Sequence, residues 1–262
     1  MLTRPIPSTG EAMPVIGLGT WRAFDVATNE ATREPLREVL RLLLDAGGRL
    51  IDSSPMYGRA EAVTGDLLAE LAARPRAFLA TKVWTTGGER GIEQMRHSAQ
   101  LLRSEVIDLL QIHNLVDWRT HLASLRRMKE EARIRYIGIT HYTVSALSEL
   151  ARVLATVPGI DFVQLGYSLA TREPETALLP AAAAHGIAVI INQPFEQGNL
   201  FRRIRGQALP DWTREFYCAS WAQLFHKYIL AEPAVTCVIP ATNNPEHMKE
   251  DLGAWSGRLP NP

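Results

Sequence analysis

The stretch RYIGITHYTVSALSELARVLATVPGIDFVQLGYS, residues 135–168, holds one complete strand–helix–strand repeat. RYIGIT reads as a short apolar strand, TVSALSELARVLATV as a helix and DFVQLGYS as the next strand. Strands this apolar are buried on both faces, as a parallel sheet requires, and the helix between them makes the crossover of a βαβ unit.

The same unit recurs in both directions. Upstream, VIGLGTW (15–21), RLIDSS (49–54), AFLATKV (77–83) and VIDLLQIH (106–113) read as strands. Each is followed by a helical pattern: TREPLREVLRLLLDAGG, AEAVTGDLLAELAA, GIEQMRHSAQLLR and RTHLASLRRMKEEA. In the first of these helices Leu36, Val39, Leu40, Leu43 and Leu44 fall at helical spacing, Thr32 reads as the N-cap and Gly47 or Gly48 as the stop. Downstream, EPETALLPAAAAHG is a helix and IAVIINQ (187–193) a strand. An insert leads to a helix near ASWAQLFHKYIL, then come strand TCVIPAT (236–242) and helix PEHMKEDLGAW. Eight strands, each followed by a helix, predict the α/β class and a (β/α)8 TIM barrel, with residues 1–262 as a single domain. A doubly wound nucleotide fold is the alternative, but no G-x-G-x-x-G follows the first strand.

Composition agrees. The chain has 262 residues, 46% hydrophobic and 21% charged, which is ordinary globular usage and a usual barrel length. Twenty-eight basic residues balance 28 acidic ones with no basic run, so neither nucleic acid nor an anionic membrane is an expected partner. Cys218 and Cys237 follow no metal or redox spacing, and no metal is expected. No stretch is apolar enough to span a membrane, and the start, MLTRPIPSTGEAMP, lacks the apolar segment of a secretory leader. A cytoplasmic protein, monomeric or weakly oligomeric, is the expectation.

Barrels of this kind carry their chemistry at the C-terminal ends of the strands. The polar residues closing the apolar runs are Asp52 with Tyr57 in the following loop, then Lys82, His113, Thr140 and His141, Gln164, and Asn192 with Gln193. A single charged residue at a strand end reads as readily as a solvated rim group. An acid, a phenol, an ammonium and an imidazole on consecutive segments point to chemistry. An ammonium beside a phenol favours phenolate, so Lys82 is expected to lower the Tyr57 pKa and make it a better general acid. His113 is placed to donate a hydrogen bond to a carbonyl oxygen.

GLGTW (17–21), IDSSPMYG (51–58), TKVW (81–84), QIHN (111–114) and IPATNNPEHMKED (239–251) resemble the aldo-keto reductase superfamily, in the expected order across nearly the whole chain. The IPSTGE-type start and the LFRRIRG and WAQLFHKY segments resemble a short-loop bacterial subgroup. The resemblance implies reduction of an aldehyde or ketone by NADPH, with NADH as a possible substitute. It makes Tyr57 the proton donor, tuned by Lys82 and Asp52, with His113 orienting the carbonyl. It places Thr140, His141, Gln164 and Asn192 around the nicotinamide end of the cofactor, with Gly19 and Thr20 also among its binding residues. Thr242, Asn243, His247, Glu250 and Asp251 fall around the adenosine end. Trp21, Trp84 and Asn114 become substrate walls.

The chain departs from the family pattern in several places. Thr140-His141 stands where Ser-Asn is common, and Asn192 where an aromatic stacks on the nicotinamide. Asn114 replaces an aromatic, and Ala241 and His247 replace the frequent lysine and arginine of the last turn, leaving Lys249 to compensate at a 2′-phosphate. Trimmed loops imply a shallow, open substrate site. Two other functions fit the same residues: a low-turnover nucleotide-binding sensor or auxiliary subunit, and an aldolase using Lys82 as a Schiff base.

Overall fold

The computed structural model describes residues 2–260. Two short strands come first, β1 (Thr3–Pro5) and β2 (Ala12–Pro14), paired antiparallel. The sequence reading has no counterpart for this hairpin, because three-residue strands carry too little alternation to register. The sheet follows: β3 (Leu18–Gly19), β4 (Leu50–Asp52), β5 (Phe78–Val83), β6 (Ile107–His113), β7 (Ile134–His141), β8 (Phe162–Gly166), β9 (Ala188–Asn192) and β10 (Val235–Val238). These eight strands lie side by side in chain order, and every neighbour pair is parallel. Parallel bridges Ile16–Val238 and Gly19–Ala241 join the two edges, so the sheet closes into the expected (β/α)8 barrel.

Between the strands run α1 (Glu30–Asp45), α2 (Ala60–Glu70), α3 (Gly88–Leu101), α4 (Trp118–Glu130), α5 (Leu147–Thr156), α6 (Leu178–Ala184), α7 (Asn199–Arg203) and α8 (Trp221–Ala231), and α9 (Pro245–Gly253) follows β10. The five apolar residues read from α1 are all buried. Its cap differs from expectation. Asn29, with extended backbone, accepts the Thr32 N–H at 3.0 Å, so the helix starts two residues before Thr32.

Side chains on a strand alternate between two faces, and here the two faces have separate cores. Outward residues such as Ile51, Leu79, Leu110, Ile137, Val163 and Val189 pack against the helices. Inward residues Leu50, Phe78, Leu109, Tyr136, Phe162 and Ile190 fill the barrel, joined by Ile6 and Met13 from the hairpin segment. Each such fully buried side chain stabilises the fold by about 1.5–3 kcal/mol. The hairpin thus plugs one end with hydrocarbon, and the other end is left for polar groups. Among the described residues, no helix is long and apolar enough to cross a membrane.

Candidate active site

Following the inward face toward the strand C-termini, two residues at a time, turns the lining from apolar to polar. Leu50 leads to Asp52, Phe78 and Ala80 to Lys82, Leu109 to Gln111 and His113, Phe162 to Gln164, and Ile190 to Asn192. Register then places Lys82 opposite Gln111, His113 opposite Thr140, and Thr140 opposite Gln164.

Asp52 and Lys82 are 2% and 0% exposed, and the Lys82 Nζ donates to Asp52 Oδ2 at 2.6 Å and to the Ser53 carbonyl at 2.8 Å. A buried ion pair needs further hydrogen bonds to persist. Asp52 Oδ1 receives them from Gln111 Nε2 at 3.0 Å and Gln164 Nε2 at 2.9 Å. Gln111 was not among the sequence candidates, since it sits inside an apolar run rather than at its end. Gly138 on the next strand makes room for it: a Cβ there would lie 2.8 Å from the Gln111 Cγ. We expect Gln111→Leu to cost about 1–2 kcal/mol by removing one donor from a buried carboxylate. Chemical denaturation checks this; an unchanged unfolding free energy would assign Asp52 its support elsewhere.

Tyr57 reaches the same mouth from the loop after β4. The Lys82 ammonium lies 5.1 Å from its ring centroid, and the ring meets His113 edge-on at 6.1 Å between centroids. Burial raises the phenol pKa, Lys82 pulls it down and Asp52 pushes it up, and the net direction is upward. This reverses the expected lowering: desolvation outweighs the ammonium, whose charge is already largely met by Asp52. The phenol therefore stays protonated at neutral pH. Burial lowers the Lys82 pKa, but Asp52 and Tyr57 more than offset it, so the amine stays charged. His113 is held neutral, its pKa lowered to about 3 by burial, then by Lys82 and His141.

The other anticipated residues divide. Trp84 stands beside His113 at 6.5 Å between ring centroids and is 43% exposed, as is Met56 at 41%, so the mouth is open there. The Trp21 ring is covered by the Arg22 guanidinium at 4.2 Å. Asn114 follows β6 with positive φ, and its Oδ1 is buried without a partner. Gly19 and Thr20 are fastened into the wall. A Cβ on Gly19 would lie 3.1 Å from the Ile239 carbonyl, and the Thr20 hydroxyl bonds the Asp52 carbonyl at 3.0 Å and Ser53 Oγ at 2.9 Å. His141 Nδ1 accepts the Thr143 N–H at 3.2 Å.

Thr242, Asn243, His247 and Glu250 gather on the turn into α9 and its outer face, where Thr242 Oγ1 accepts the Asn244 N–H at 3.0 Å. Asp251 corrects the expectation. It is 2% exposed and lies 2.8 Å from His226 Nε2 of α8, because its helix position faces the neighbouring helix and not the mouth. Lys249, the suggested compensating cation, is paired with Glu246 at 2.7 Å. A cavity of about 240 Å³ opens over the ends of β7 to β9, lined by Tyr142, Gly166, Gln193, Glu196 and Asn199 among others.

A buried Asp–Lys pair thus lies beside a tyrosine at the barrel mouth, with a neutral histidine one strand further. The aldo/keto reductase family model matches residues 15–261. The chain belongs to the aldo/keto reductase family.

This reductase-family chain is 27% identical over 255 residues to a Trypanosoma cruzi 9,11-endoperoxide prostaglandin H2 reductase, spanning 94% of this chain and 84% of that one. It is 25% identical to the Escherichia coli K12 methylglyoxal reductase DkgA, spanning 95% of this chain and 86% of the relative. Among solved structures, the Klebsiella pneumoniae aldo/keto reductase in complex with NADP and acetate superposes with a TM-score of 0.80. It is 26% identical, over 96% of this chain and 89% of that one.

Proposed function

We propose that this reductase converts aldehyde or ketone carbonyls to alcohols using NADPH, with Tyr57 as the proton donor. The observation that carries the reading is the convergence of Tyr57, Lys82, Asp52 and His113 at one barrel mouth. Relatives that reduce methylglyoxal, and a Klebsiella pneumoniae structure with NADPH, support the substrate class and the cofactor.

The residues fit a nicotinamide. Asp52 is held as an acceptor by Lys82, so Gln164 turns its NH2 to it and its Oε1 to Asn192 Nδ2 at 3.2 Å. Asn192 Oδ1 is then left buried with no partner beside Gly166, an acceptor suited to a carboxamide N–H. Thr140, His141 and Asn192 would hold that end, and Thr242, Asn243, His247 and Glu250 the adenosine end. Bound NADPH supplies the hydride. His113 orients the carbonyl oxygen by hydrogen bonding. Tyr57 releases its proton to that oxygen, and Lys82 stabilises the phenolate left behind.

The test is loss of reduced-nicotinamide absorbance against a carbonyl panel that includes methylglyoxal and aromatic aldehydes. Turnover on the panel supports the reading. Tight NADPH binding without turnover on any member would support the sensor function instead. With Lys249 paired to Glu246 and no arginine in the last turn, a 2′-phosphate would rely on neutral donors there, and one such hydrogen bond is worth about 1 kcal/mol or about fivefold. We expect NADPH to bind about fivefold more tightly than NADH by fluorescence titration; equal affinities would count against it.

A further inference from the structure

Ser54 is fully buried in the turn between Asp52 and Tyr57. Its carbonyl accepts the Tyr57 N–H at 3.0 Å, which fixes how the phenol leaves the turn. Its side chain faces the other way. Ser54 Oγ lies 3.2 Å from His113 Nδ1 and also accepts the Met56 N–H at 3.4 Å.

A hydroxyl has one hydrogen to donate and two lone pairs. The Met56 N–H takes a lone pair, and the hydroxyl hydrogen needs an acceptor. A neutral imidazole has one protonated nitrogen and one acceptor nitrogen. With Nδ1 protonated, the ring and the Met56 amide would both donate to Oγ. The serine hydrogen would then be stranded without an acceptor in a fully buried position. With Nδ1 as acceptor, Ser54 donates to it and every group is satisfied. The proton then sits on Nε2, the nitrogen with no protein partner among the described residues and the one left open to the mouth.

We infer that Ser54 is a positioning residue that fixes His113 in the Nε2–H tautomer, so that the imidazole presents a donor to the substrate oxygen. One residue thereby sets both proton-bearing groups, Tyr57 through its backbone and His113 through its hydroxyl. The kinetic consequence rests on the reductase reading above; the tautomer does not.

The experiment combines ¹⁵N NMR of histidine-labelled protein with kinetics. In the wild type, Nδ1 should show the shift of an unprotonated nitrogen and Nε2 that of a protonated one at neutral pH. Ser54→Ala should mix the tautomers and lower kcat/KM about tenfold, with the NADPH Kd within twofold. Ser54→Thr, which keeps the hydroxyl, should restore both readouts. Should Ser54→Ala fail to fold, Ser54→Cys takes its place, keeping the volume and weakening the donor. A protonated Nδ1 in the wild type overturns the inference. So does a variant without the hydroxyl that keeps the wild-type spectrum and rate. Wild-type protein that reduces no carbonyl overturns the reductase reading instead, and the NMR result still decides the tautomer.

Discussion

Tyr57→Phe is expected to lower kcat/KM for carbonyl reduction by about a thousandfold, while NADPH affinity changes no more than a few-fold. Loss of a positioned general acid removes a factor of about 10²–10⁴. The substitution keeps the ring, and with it the edge contact to His113 and the position over Lys82. It removes only the hydroxyl, so the fold and the proposed cofactor contacts are untouched. The pH profile gives a second check. With Tyr57 as the proposed donor, reduction would need the protonated phenol, whose pKa is raised from its ordinary value of about 10. The wild-type alkaline limb should therefore lie above about pH 10, and the neutral His113 should add no limb near pH 6.5. Steady-state kinetics across pH decide the matter. Turnover near normal in the variant would remove Tyr57 from the mechanism.

Lys82→Met should be more damaging to the protein itself. Lys82 has no exposure and Asp52 almost none, so the variant leaves a carboxylate buried with only the Gln111 and Gln164 amides for partners. Breaking a buried pair from one side costs about 3–5 kcal/mol. In a chain of this size that corresponds to a fall in Tm of roughly 10 °C. Reduction should fall with it, because the phenolate loses the charge that stabilises it. The double variant Lys82→Met/Asp52→Asn removes both charges, and should recover most of the stability but none of the activity. Thermal melts and initial rates on the two variants measure this. A single variant as stable as the wild type would mean that the pair is not the buried anchor of the site.

Much of this architecture is legible in the sequence. RYIGIT, VIDLLQIH and IAVIINQ announce buried strands by their apolar content, and the α1 positions Leu36 to Leu44 announce a packed helical face. Asp52, Lys82 and His113 were legible because polar groups that interrupt an apolar run mark where a strand meets the barrel mouth. Gln111 lies within such a run, and only the inward parity of β6 together with the space at Gly138 brings it to Asp52. Asp251 shares a motif with Glu250, yet the packing of α9 on α8 turns it toward His226. The hairpin formed by β1 and β2 escaped notice because it is short and takes its meaning from the barrel end it plugs.

The chain's periodicity and its strand-end residues were enough to specify a (β/α)8 barrel and to bring a phenol, an ammonium, a carboxylate and an imidazole to one rim. Those signals are local, since backbone alternation and helical repeat are carried by neighbouring residues. Tertiary structure alone decided which amides hold Asp52, that Ser54 meets His113 Nδ1, and that burial raises the Tyr57 pKa instead of lowering it. Those properties depend on groups far apart in sequence. Their distances and solvation exist only once the register is set and the barrel has closed.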